Sequence, residues 1–235
     1  MGTIRAIAAL DPAAVDGTFG SADAIALGGW PGATTGLAWA SVTRFAKDVR
    51  GGAIPNDVRV VMCDPEHWDA TPSTKRLDPA RSIVAFCTLA RAEGYTVLVS
   101  RHPNLVSVPG GPHTPRGEET REAAYLRSRI VEISAANADI VDTQAQTLQR
   151  DPAAYRGLVH ATARVAHEVN HGVEVISGLS THPGYPATVE MLMDAWRSVR
   201  DVVDGHYLSL ARGRLTEVAA RFLSACAAAD RSDVL

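Results

Sequence analysis

The chain has 235 residues, 46% of them hydrophobic and 21% charged, with a formal net charge of -3. This composition excludes a disordered chain and suits one domain over residues 1–235 with a sizeable core. The slight acidity and the lack of a long basic run exclude nucleic acid as an expected partner, and no run is apolar for long enough to cross a membrane.

In chain order, short apolar runs alternate with longer amphipathic ones. Strands are predicted at Ile4–Leu10, Ala24–Leu27, Val58–Cys63, Thr96–Ser100, Asp139–Thr143, Val173–Ser177 and His206–Leu210. Most are continuous Val, Ile, Leu and Ala, as expected of parallel strands covered on both faces. Any helix within Asp11–Asp23 must be short. Helices are predicted at Thr35–Val49, Pro79–Glu93, Glu118–Ala136, Pro152–Val169, Thr188–Val203 and Arg214–Ala229. Asp78-Pro79 and Asp151-Pro152 each supply a capping carboxylate and a proline at the first helical position. Strand and helix in alternation give a parallel sheet. The expected fold is α/β: a parallel (β/α) barrel, TIM-barrel-like, of about seven or eight strands. A doubly wound sheet is the rival, but no Gly-rich phosphate loop of the usual spacing is present.

The three cysteines, Cys63, Cys87 and Cys226, have no zinc spacing and read as buried free thiols. A reducing compartment fits them. The first apolar stretch is too short for a signal-peptide core, so a cytoplasmic location is expected.

In parallel α/β folds the pocket lies at the C-terminal ends of the strands. Two strand ends look alike there: Val58–Cys63 runs into Asp64-Pro65-Glu66-His67-Trp68, and Ile140-Val141 runs into Asp142-Thr143-Gln144-Ala145-Gln146. Asp64 and Glu66 share a face if the strand stays extended, and so do Asp142, Gln144 and Gln146. Barrel interiors are filled in layers from alternate strands, so Asp64 and Asp142 can belong to one layer. Two carboxylates around one cavity can divide acid and base roles. Glu66 is the first choice of general acid, because Trp68 and apolar neighbours would raise its pKa by desolvation. The bland alternative is that these acids cap a helix, shape a turn or pair with arginine.

Other strand ends offer Trp30, His102, Ser180, His182 and Tyr207 as substrate contacts, beside Gln144, Gln146 and Trp68. Trp30, Trp68 and Tyr207 could floor a sugar or an apolar substrate. His102 and His182 each precede a proline, and a loop-bracing hydrogen bond is the competing role. Trp39 and Trp196 fall mid-helix and read as core. No GxSxG elbow surrounds Ser177 or Ser180, which argues against a serine hydrolase. No metal is assigned and no cofactor is expected. A divalent ion would need three convergent ligands from Asp64, Glu66, Asp142, His102 and His182, and no HxH, HExxH or DDxxD spacing supports one. The expected partner is a small-molecule substrate. The sequence carries no sign of an oligomer interface.

With Asp64-Pro65-Glu66-His67-Trp68, Asp142-Thr143-Gln144-Ala145-Gln146 and Gly178-Leu179-Ser180-Thr181, the chain resembles small TIM-barrel proteins of the glycoside-hydrolase-like kind. Chitinase-like barrels are similar in carrying D-x-E at a strand end, although their longer D-x-x-D-x-D-x-E run is absent here. The resemblance implies Glu66 as the acid, Asp64 as its partner, and Asp142 with Gln144 holding the reacting group. The alternatives are a non-hydrolytic cyclase, lyase or isomerase using the same carboxylates, and a non-catalytic binding barrel.

Overall fold

A computed structural model describes residues 15–18, 34–65, 78–107, 111, 113–182, 184, 187–210 and 217–232. Seven strands form one sheet: β1 Val15–Thr18, β2 Thr34–Trp39, β3 Val58–Cys63, β4 Thr96–Arg101, β5 Ile140–Thr143, β6 Glu174–Ser180 and β7 Gly205–Ser209. Their spatial order is their chain order, and every neighbouring pair is parallel. A doubly wound sheet reverses its strand order at a switch point. Among the described residues no reversal occurs. Successive parallel strands joined in one direction put their helices on the same face, and the sheet curls as in a barrel.

The expected closed barrel is corrected in one respect. Strands β2–β7 make a curled half-barrel with the short β1 at its edge, and among the described residues β7 does not pair with β1. The strands expected at Ile4–Leu10 and Ala24–Leu27 lie outside the described residues.

The helices are α1 Val42–Arg50, α2 Pro79–Ala92, α3 Arg121–Arg127, α4 Ile130–Asn137, α5 Pro152–Val169, α6 Val189–Val199 and α7 Glu217–Ser232. Asp78 accepts from the Arg81 N–H, and Asp151 from those of Ala153 and Ala154, so both expected caps form. Among the described residues no helix is long and apolar enough to cross a membrane.

Two local expectations are overturned. The helix expected over Thr35–Val49 is strand β2 followed by α1. Leu37, Val42, Phe45 and Val49 keep a near-helical spacing across the joint, which hid the change of backbone. Gly36 and the β-branched Thr34 and Thr35 instead suit a strand that pairs with β3. Trp39 therefore ends a strand rather than sitting mid-helix. It remains core, with its ring 4.9 Å from Phe45. Second, the helix expected over Glu118–Ala136 splits into α3 and α4 at Arg129, which takes a left-handed φ of 62°. Ser128 bridges the break, donating to the Tyr125 carbonyl and accepting from the Ile130 N–H. Within the stretch Asp11–Asp23, the described residues Val15–Thr18 form strand β1, which is not among the expected strands.

The main core lies between sheet and helices and includes Phe45, Phe86, Tyr125, Tyr155, Trp196 and Phe222, all fully buried. Phe45 and Phe86 stack at 4.4 Å. The opposite face, turned away from the helices, carries a second buried cluster of Val60, Met62, Leu98, Ile140 and Ile176. All three cysteines are free and buried, and burial pushes the Cys87 thiol up to about 12.

Candidate functional site

The two faces separate by strand alternation. On β3, β4 and β5 the residues Met62, Leu98 and Ile140 occupy the face away from the helices. Two positions further along each strand, the same face presents Asp64, Ser100 and Asp142. Register brings the three level, because Cys63 pairs with Val99 and Ser100 pairs with Asp142. Asp64 and Asp142 thus share one polar layer above an apolar one.

A continuous hydrogen-bond chain joins that layer. The Ser100 hydroxyl donates to Asp142 Oδ2 at 2.7 Å. Gln144, two residues beyond Asp142 on the same face, donates from Nε2 to Ser100 Oγ at 2.7 Å and to Asp64 Oδ1 at 2.8 Å. Its Oε1 accepts from Gln146 Nε2 at 3.2 Å. Ser100 and Asp142 are fully buried, Gln144 and Gln146 nearly so, and Asp64 is half-buried.

The Ser100 proton points at Asp142, and the Ser100 lone pair receives the Gln144 amide. The Gln144 nitrogen then lies between Ser100 and Asp64, and its oxygen must face Gln146. That fixes the Gln146 amide in turn, nitrogen toward Gln144 and oxygen away. Gln146 Oε1 is buried and has no hydrogen-bond partner. It rests against Gly178 of β6, where a Cβ would lie 2.9 Å from it. Tyr155 from α5 donates to the Gly178 carbonyl at 3.1 Å and steadies the strand there.

Of the residues singled out in the sequence, Asp64, Asp142, Gln144 and Gln146 come together. Gln146 opens a short 3₁₀ turn, Gln146–Leu148, instead of continuing the strand, and reaches Gln144 by folding back. Glu66, Trp68 and Trp30 lie outside the described residues. The remaining four join no hydrogen bond of the chain just described. His102 Nδ1 accepts from the Asn104 N–H at 3.0 Å, a loop brace. Burial, with the charge of Arg121, holds His102 down to about 4, so it is neutral at pH 7. Ser180 is buried, its backbone gripped at both N–H and carbonyl by the Gln149 amide. His182 is exposed and donates its backbone N–H to Ser180 Oγ. Tyr207 packs half-buried against the apolar inner cluster.

Ser100 and Gly178 carry the site as much as the carboxylates do; Ser100 is among the groups the fourth strand end offers, without a role assigned to it, and Gly178 is not an expected contact. Ser100 has a signal: it shares the parity of Leu98 at the end of an apolar run. Gly178 has none, because its role depends on how closely β6 approaches the turn after β5. Among the described residues no group of three or more His, Cys, Asp or Glu is placed to hold a metal ion.

The arrangement can hold Asp64 in one orientation through a neutral amide and link it to a buried second carboxylate. Compared with known proteins, the chain matches no family model and no curated protein.

Proposed function

We propose that this protein is a glycoside-hydrolase-like enzyme acting on a hydroxyl-bearing small molecule at the C-terminal edge of its parallel sheet. The carrying observation is the hydrogen-bonded chain Asp64–Gln144–Ser100–Asp142 across three adjacent strands. Buried polar chains are unfavourable unless fully partnered, so one of this length is more readily explained by a site than by packing. In this reading Asp64, half-buried at its end, meets the substrate, and Glu66, two residues on, is the acid. Asp142 is fully buried and acts through Ser100 and Gln144, as a positioning residue. The apolar residues beneath are already packed together, and Asp64 is the one member of the polar layer that is only half-buried. This favours a hydroxylated substrate over the apolar one a cyclase would take.

The test is a panel of nitrophenyl glycosides assayed with the native protein, Asp64→Asn and Glu66→Gln. Removing a general acid or base costs about 10²–10⁴-fold in rate. The reading requires release of nitrophenol by the native protein, with losses of that size in both variants and little change in melting temperature. Undiminished turnover in either variant refutes that residue's role. Sugar binding without turnover on any substrate would identify a binding barrel instead.

A further inference from the structure

Arg101, the last residue of β4, is fully buried, and none of its three guanidinium nitrogens has a hydrogen-bond partner. The Tyr125 hydroxyl from α3 is likewise fully buried and without a partner. The two are within electrostatic range, since the Arg101 charge acts on the Tyr125 phenol together with those of Asp142 and Glu132. By strand alternation Arg101 shares the parity of Val97 and Val99, which pack toward the helices, so it stands on the opposite face of β4 from Ser100.

A guanidinium is charged at any pH a folded protein meets and offers five N–H donors. Burying it with no partner is heavily disfavoured, and buried charges are as a rule paired. The two acids that share its neighbourhood do not bond it. Asp142 Oδ2 accepts from Ser100. Glu132 reaches toward Arg129 at 3.9 Å, and its Oε2 is buried without a hydrogen bond. Acid oxygens are thus near, but none is within hydrogen-bond reach of the guanidinium, whose nitrogens only donate, while the Tyr125 hydroxyl can donate beside them; an oxyanion could accept from both. Planar, bidentate recognition of an oxyanion is what arginine does best.

We propose that Arg101 and Tyr125 form an internal binding site for a single small anion, between the end of β4 and α3. The site lies across β4 from the polar chain and does not depend on a hydrolytic reading of it. Its occupant is a free ion or the anionic group of a small molecule.

The test is melting temperature at constant ionic strength with sodium bromide, phosphate or acetate as the varied salt, followed by anomalous diffraction from bromide-soaked crystals. A hundredfold excess over the dissociation constant raises the melting temperature of a chain this long by roughly 5–10 °C. Tyr125→Phe should weaken the response and Arg101→Met should abolish it. A shift with bromide, with anomalous density within hydrogen-bonding reach of Arg101, assigns a free ion. A shift with phosphate or acetate alone assigns the anionic group of a larger molecule. The proposal is overturned if no salt has a specific effect on the native protein and the guanidinium is met only by water or a protein carboxylate. The native-protein measurements stand even if Arg101→Met fails to fold.

Discussion

Gly178→Ala tests the geometry of the site without replacing any of its polar groups. A Cβ at this position would lie 2.9 Å from Gln146 Oε1, 3.2 Å from Gln144 Cα and 3.3 Å from the Thr143 carbonyl oxygen. The first contact is a flexible amide that can swing away. The other two are backbone, so β6 or the end of β5 must also shift by a few tenths of an ångström. Overpacking of this kind costs about 1–3 kcal/mol. Displacing Gln146 also breaks its 3.2 Å bond to Gln144, a net loss of about 1 kcal/mol. The total, about 2–4 kcal/mol, corresponds to a fall in melting temperature of roughly 4–16 °C at this chain length. Gly157→Ala is the control: Gly157 is exposed within α5, and an added Cβ would have nothing within 4 Å. There alanine should stabilise by about 0.5–1 kcal/mol through helix propensity. Urea denaturation of both variants gives the comparison. If Gly178→Ala is as stable as the native protein, the close approach of β6 to Gln146 is wrong, and with it the orientation of the amide chain.

Ser100→Ala removes the hydroxyl that bridges Asp142 and Gln144 and leaves a fully buried carboxylate oxygen without its donor. The expected loss is about 1.5–3 kcal/mol by urea denaturation, and a loss under a few tenths would show that the bridge does not form in solution. Two buried histidines among the described residues set a pH dependence. Burial, with the charge of Arg200, holds His206 down to about 3, and burial with Arg121 holds His102 down to about 4, against an ordinary 6.5. Below pH 6.5 the unfolded chain therefore binds two protons that the folded protein refuses. Their contribution to stability is complete above 6.5 and falls with pH at roughly 2.7 kcal/mol per unit. Urea midpoints at pH 7.0, 6.0 and 5.5 should decline accordingly, and a flat profile would contradict the burial of both rings.

Much of the sheet was legible because its strands are short, continuous apolar runs. Val58–Cys63 is a strand over that range, and α5 ends at Val169 as its capping signals and periodicity suggest. The breaks were less visible. A helical spacing that runs by chance across Trp39, Ala40 and Ser41 masked the β2–α1 joint, and nothing about an arginine announces that Arg129 will take a left-handed turn. The same limits apply at the site. Alternation placed Asp64, Asp142 and Gln144 on one face, since it needs only the period of a strand. The bridging role of Ser100 required the register between β4 and β5, and the need for glycine at position 178 required the path of β6. Arg101 was opaque because an arginine after an apolar run reads as the exposed end of a strand.

The central claim is that Asp64, held by Gln144 at the end of the polar chain, meets a substrate. Comparing turnover of Asp64→Asn with that of the native protein on one hydrolysed glycoside, at equal folded fraction, tests it most directly. The account predicts a loss of about 10²-fold or more, with the melting temperature preserved because asparagine can still accept from Gln144. Native turnover in that variant would contradict it.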